Sequence, residues 1–278
     1  MVEVMVEVAT GTTELKCEIS HRVGTITLNK PHKKNALGDV LTPALRRTLA
    51  VLEQDERIGC IVITGAGDAF CAGGDVSGMG AGDGDSASLT AQEHIADLVH
   101  KQVTLTARIH ESSKIIIAAL PGAAAGAGLS IALACDLRVA SSNAFITTAF
   151  KNVGLSGDYG SSWFLPRLVG LAKAKELFYT ARRVDAEEGL RLGIFNKVFP
   201  QESFRQQAFD YARDIAHGPT TTLARMKTNL HQGLEQSLRD SLVLEAQQLI
   251  ASMGSVEAKE AIAAFMEKRP PVFHPASD

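Results

Sequence analysis

Three short stretches of the chain hold residues whose types and spacing could do chemistry. Phe70-Cys71-Ala72-Gly73-Gly74-Asp75 follows a continuous apolar run from Ile58 to Thr64. Gly122 to Gly128 follows a second run, Ile115 to Leu120, and leads into a helix. Glycines after a strand let the backbone approach a ligand closely, and a helix N-terminus adds free N–H donors and partial positive charge. Two such donors aimed at one carbonyl oxygen would stabilise an enolate, and preorganised electrostatics of this kind is often the largest catalytic term. Either turn taken alone is better explained by a tight chain reversal, and the second lacks the last glycine of G-x-G-x-x-G. The third stretch is Gly157-Asp158-Tyr159-Gly160. Its carboxylate could act as a base or could cap the helix that follows.

These stretches need a scaffold, and the pattern around them supplies strands interleaved with helices. Leu15 to Ser20 and Val23 to Leu28 read as a hairpin with His21-Arg22 at its turn, because Ile26 and Leu28 alternate with Thr25 and Thr27. Val40, Leu41, Leu45, Leu49 and Leu52 recur at helical spacing and predict a helix over 38–56. The two apolar runs read as strands buried on both faces. Ser77 to Ser88, rich in Gly, Asp and Ser, reads as a loop before a helix over 90–112. A helix through Leu133 and two short strands, 137–140 and 145–148, come next, and from Ser161 onward the chain reads as almost entirely helical. The expectation is an α/β core over 1–205 with a helical region over 206–278.

Composition removes several classes of function. The 278 residues are 45% hydrophobic and 21% charged with a net charge of −3, and no long basic block suggests a nucleic-acid partner. No stretch approaches the ~18 uninterrupted apolar residues of a membrane span. Met1 to Val8 alternates polar and apolar residues without the basic n-region of a secretory signal. Cys17, Cys60, Cys71 and Cys135 are scattered, and the histidines form no H-E-x-x-H pair. A cytoplasmic protein with reduced thiols and no metal site is the expectation.

As an ordered set, the motifs resemble the crotonase (enoyl-CoA hydratase/isomerase) superfamily. Phe70 to Asp75 resembles its F-[CAS]-A-G-x-D segment, and Gly122 to Asp136 resembles its G-x-[AC]-x-G-G-G-x-x-[LI]-x-x-x-C-D segment. Asn35-Ala36-Leu37, Leu165 to Gly170, Ala186 to Gly193 and Phe265 to Pro270 extend the likeness over roughly residues 15 to 273. The resemblance implies an α/β crotonase (ClpP-like) spiral of ββα units with a C-terminal helical trimerisation region. It also implies an acyl-CoA thioester substrate, no cofactor beyond the CoA of that substrate, and a homotrimer or dimer of trimers. Carried over by position, the oxyanion-hole donors are the N–H groups of Gly74 and Ala127. Ala127 replaces the middle glycine of the usual triplet, which costs little because only its N–H is used.

The departures from the pattern point to particular chemistry. Hydratases of the family use two glutamates; this sequence has Ser130 at the first position and Phe150 at the second. Neither can act as a carboxylate base. In some members an aspartate at the place of Asp158 is the base of a double-bond isomerase, and in 4-chlorobenzoyl-CoA dehalogenases it is the nucleophile. A dehalogenase also needs a histidine near Val103, and His94, His100 and His110 are out of register with it. The resemblance therefore favours an isomerase, with a hydratase or other lyase and an inactive acyl-CoA binder as alternatives. Asp158 between aromatics should have a raised pKa. Ala72, Asp75, Val76, Gly126, Ser130, Phe150, Tyr159 and Trp163 are expected around the substrate, Asp75 as a brace for the first turn. Lys30 and Lys33 are candidates for the CoA phosphates, and Phe265 and Lys268 for the adenine of a neighbouring subunit. Cys71 reads as a small apolar filler.

Overall fold

The computed structural model describes residues 5–75 and 90–274; Val76 and the stretch 77–88 lie outside them. Two sheets form the framework. The larger is ordered β1-β2-β3-β4-β6-β8-β11 and the smaller β10-β9-β7-β5. In the larger, β1 (Val6–Glu7), β2 (Leu15–Ser20) and β3 (Val23–Leu28) pair antiparallel. Parallel to β3 run β4 (Cys60–Gly65), β6 (Ile115–Leu120), β8 (Leu137–Ser141) and β11 (Lys197–Phe199). The hairpin turn falls on His21 and Arg22, both with left-handed backbone (φ 47° and 61°), the geometry whose twist matches the strands it joins.

The smaller sheet explains where the glycine-rich stretches go. Strands β5 (Ala69–Cys71), β7 (Ala123–Ala125) and β9 (Phe145–Thr147) lie parallel, and β10 (Val184–Asp185) closes the edge antiparallel to β9. Each follows a long strand, β4, β6 or β8, and precedes a helix: α2 (Ala91–Gln102), α4 (Ala127–Ala134) or α5 (Ser161–Thr180). The unit is thus strand, short strand, helix, repeated three times, as the ββα expectation requires. Three corrections accompany it. The residues before the two glycine turns are themselves short strands, and β10 and β11 interrupt a region expected to be helical. The helix expected over 90–112 is continuous but changes to a π turn at Val103–Ala107 before α3 (Arg108–Glu111). It starts on a Thr90–Glu93 capping box, in which the Thr90 N–H donates to Glu93 Oε2 at 2.7 Å.

The central strands are buried on both faces because a layer lies on each side. Helix α1 (Leu41–Gln54) puts Leu41, Leu45, Leu49 and Leu52, all fully buried, into one core with Ile26, Leu28, Ile61 and Ile63. Each such side chain contributes roughly 1.5–3 kcal/mol when withdrawn from water. The alternate residues Val23, Cys60, Val62, Ile117 and Val139 face the other way, onto Phe204, Ala208 and Ala212 of α7 (Phe204–Ala216). The period of two along each strand is what divides the residues between the two layers. Helix α6 (Ala186–Arg191) precedes β11, and α8 (Thr220–Gly233), α9 (Leu238–Met253) and α10 (Val256–Glu267) complete the chain. Among the described residues no helix is long and apolar enough to cross a membrane.

Candidate active site

The first glycine turn is aimed by a single residue of the preceding loop. Leu37 N–H donates to the Gly73 carbonyl at 2.8 Å, and Asp75 N–H donates to the Leu37 carbonyl at 2.9 Å. This short parallel bridge uses one edge of the Gly73–Asp75 segment and turns the Gly74 N–H to the other. The loop is fixed in turn by Asn35, fully buried and left-handed (φ 59°), whose amide donates to the Ala66 and Ala69 carbonyls at 2.9 Å each. Asn35 belonged to a quoted motif without any role; its amide shows the role to be mechanical. The Asp75 carboxylate lies on Lys33 at 2.7 Å and on Lys30 at 3.4 Å. Lys30, a candidate for CoA phosphate, is thus engaged within the chain and also lies 4.0 Å from Glu14.

The second turn meets the first through the absence of side chains. A Cβ on Gly73 would lie 3.0 Å from the Ala125 carbonyl oxygen and 3.6 Å from the Ala127 nitrogen. A Cβ on Gly128 would lie 2.3 Å from the Cys71 carbonyl oxygen, so only glycine lets α4 pack onto β5. Gly126 turns the chain into α4 with φ 49°. Ala127 opens that helix, and its N–H is one of the donors a helix leaves unpaired. Among the described residues neither the Gly74 nor the Ala127 N–H finds an acceptor. Cys71 is fully buried, and burial pushes its thiol up to about 12, which suits a filler and not a nucleophile.

Asp158 lies on the loop that leads into α5. It does not cap that helix: Gly160 occupies the N-cap, with φ 82° and no side-chain hydrogen bond. Its Oδ1 is buried without a partner, and burial pushes the carboxyl up to about 6. The flanking backbone is left-handed at Gly157 (φ 115°), Tyr159 (φ 49°) and Gly160. For a bulky residue such as Tyr159 that conformation is strained, by about 1–3 kcal/mol. Its ring is nevertheless buried. Phe150 stands between this loop and the second turn. Its ring is 3.7 Å from a Cβ built on Gly126, 3.9 Å from one built on Gly157, and stacked on Phe178 at 6.2 Å.

Several expected site residues are placed elsewhere. Ser130 is fully buried and lines no open surface; its hydroxyl lies 3.0 Å from the Asp158 carbonyl oxygen and 3.2 Å from that of Gly126. Nothing in the sequence links positions 28 apart in this way. Trp163 lines a groove of about 430 Å³ to which Asp158 does not contribute. There Arg167 lies over its ring at 3.7 Å, and His110 meets it edge-on at 5.0 Å and stacks on His231 at 4.0 Å. Phe265 is 82% exposed near the end of α10 and Lys268 is its left-handed C-cap, so neither meets the site within one chain. Ala72 is exposed beside Gly73, with its N–H on the Lys34 carbonyl at 2.9 Å. Val103 falls in the π turn, 54% exposed. Among the described residues no group of three His, Cys, Asp or Glu is gathered to hold a metal.

Comparison with known proteins agrees with the fold. The enoyl-CoA hydratase/isomerase family matches residues 18–276. The chain is 36% identical over 260 residues to a "Probable enoyl-CoA hydratase" of Rhodobacter capsulatus, covering 93% of this chain and 97% of that one. It is 32% identical to a 1,2-epoxyphenylacetyl-CoA isomerase of Escherichia coli, covering 90% and 94%. The crystal structure of an enoyl-CoA hydratase from Polaromonas sp. JS666 superposes with a TM-score of 0.85 at 33% identity, covering 92% and 98%.

Proposed function

The chain belongs to the enoyl-CoA hydratase/isomerase family and has its crotonase fold, and within that family we propose that it is a double-bond isomerase with Asp158 as the base. The observation that carries this reading is the half-buried Asp158 carboxylate, its Oδ1 buried without a partner and its pKa pushed up to about 6, beside a helix whose first N–H is unpaired. Ser130 and Phe150, at the places of the two hydratase glutamates, offer no second carboxylate. The Gly74 and Ala127 N–H groups hold the thioester oxygen. Asp158 removes a proton from one carbon of the acyl chain, the negative charge delocalises onto that oxygen, and the same proton returns two carbons away. One carboxylate in two protonation states serves both steps, and a pKa near the working pH favours each transfer. Nothing in this sequence of steps calls for a metal or redox group, and CoA arrives with the substrate. For the assembly, the apolar residues exposed on the last helices, among them Leu242, Leu249, Ile250 and Ile262, are where further copies would pack into a trimer or a dimer of trimers.

The test is a panel of 2-enoyl- and 3-enoyl-CoA thioesters, with products read by mass and ultraviolet absorbance. Conversion of 3-enoyl- to conjugated 2-enoyl-CoA at unchanged mass, lost in Asp158→Asn, is the expected result. A gain of one water on 2-enoyl-CoA would overturn it in favour of the hydratase that the Rhodobacter relative's name suggests. Tight thioester binding without turnover would instead mark an inactive homologue.

A further inference from the structure

We propose that Ser130 is a positioning residue, whose buried hydroxyl ties the loop carrying Asp158 to the helix turn that begins with Ala127. This deepens the isomerase reading and rests on it. The hydroxyl has one proton and two carbonyl oxygens in range, Asp158 at 3.0 Å and Gly126 at 3.2 Å. The Gly126 oxygen already accepts the Ser130 N–H at 3.0 Å within the helix. The Asp158 oxygen receives its remaining contacts, at 3.3 Å each, from Ser161 N–H and Ser161 Oγ, three residues along the chain at the start of α5. Ser130 is therefore the contact, among those the Asp158 carbonyl makes, that comes from outside the loop and the helix it leads into.

The loop needs such a tie. Its backbone is left-handed at Tyr159 (φ 49°), and a strained conformation of this kind persists only where the surroundings over-determine it. The Asp158 side chain supplies none of that restraint, since its Oδ1 contacts no polar partner. Position therefore comes through the main chain. Ser130 lies three residues after Ala127, about 4.5 Å along α4, so one short rigid segment registers the oxyanion donor against the base. A carboxylate that must reach two carbons of one acyl chain depends on that register.

The experiment compares Ser130→Ala and Ser130→Cys with the unaltered enzyme and Asp158→Asn, on the 3-enoyl-CoA that turns over best. Ser130→Ala is expected to lower kcat by about 10- to 100-fold, the cost of a base displaced by about an ångström. KM should stay within about twofold, because the thioester contacts are untouched. The acidic limb of the pH–rate profile should move to lower pH as the loosened carboxylate gains water. Ser130→Cys, similar in volume but a weak donor, should move both readouts the same way by less. A folded Ser130→Ala enzyme with unaltered kcat and pH profile overturns the proposal. If the alanine variant does not fold, the cysteine variant decides by the same two readouts. Turnover surviving in Asp158→Asn would instead sink the base assignment itself, a result distinct from an inactive Asp158→Asn beside a normal Ser130→Ala.

Discussion

Asp136 and Asp158 are both carboxylates that the fold withdraws from water, and it treats them in opposite ways. Asp136, after α4, is mostly buried and paired through one oxygen: Lys227 of α8 donates to its Oδ2 at 2.9 Å and the Ile116 N–H donates to the same oxygen at 2.8 Å. Asp158 has no such lysine or amide among the described residues, and its Oδ1 is buried without a donor. Burial raises both carboxyls above their ordinary range, but at Asp136 the lysine and the amide pull the other way, and at Asp158 nothing does. Burying an unpaired ionisable group costs stability, and such groups gather where chemistry is done. Asp136 holds the last helices to the core, while Asp158 is left free for a substrate. The same contrast separates Glu257, whose carboxylate accepts the Thr221 and Thr222 N–H groups at 2.9 Å each and so caps α8.

Mutation should break the two carboxylates apart. Asp158→Asn should lower kcat by about a thousandfold, ~4 kcal/mol of transition-state stabilisation. Its melting temperature should hold or rise, because a neutral amide replaces a costly buried carboxylate. Equal losses of activity and stability would place Asp158 with Asp136 as a structural group. Lys227→Ala should do the reverse, costing about 3 kcal/mol of unfolding free energy by stranding Asp136. Turnover per folded molecule should be unchanged, as measured by denaturant titration beside single-turnover kinetics.

Acid sharpens the comparison further. The Asp158 base is active when ionised, so the rate should rise through a pH of about 6 and level off above it. Its folded pKa lies above the ordinary 3.8, so its contribution to stability is full below that value and lost as pH rises through about 6. Asp158→Asn should flatten that part of the stability profile. The smallest effect is expected at the groove beside α8. Burial, reinforced by the charge of His231, lowers His110 from 6.5 to about 4. Its contribution is present above 6.5 and lost as pH falls toward 4, the opposite slope. His110→Phe keeps the ring contacts and should make unfolding less sensitive to acid; an unchanged profile would show that α8 stays docked over a protonated pair.

Much of the framework was legible because its elements are long enough to show a period. The Leu41–Leu52 stripe, the alternation of β3 and the apolar runs of β4 and β6 each repeat within one element. Strands of two or three residues, such as β5, β7, β10 and β11, are too short to show any period and read from the sequence as turns or helix; in the smaller sheet β9 alone reads as a strand. Asp158 and the two donor turns stood out by residue type and by resemblance, but Trp163 could not be directed to its groove from spacing alone.

The sequence by itself determined which groups are present: two glycine turns after buried strands, an aspartate in Gly157-Asp158-Tyr159-Gly160, and no glutamate at either hydratase position. These are covalent facts, and local propensity places them on strand ends and loops. Only the tertiary structure decided how each group is used. Whether a carboxylate is paired or orphaned depends on partners distant in the chain, 91 residues for Asp136 and Lys227 and 28 for Ser130 and Asp158. Burial, which raises the pKa of one group and lowers that of another, belongs to the packed layers and to no single residue.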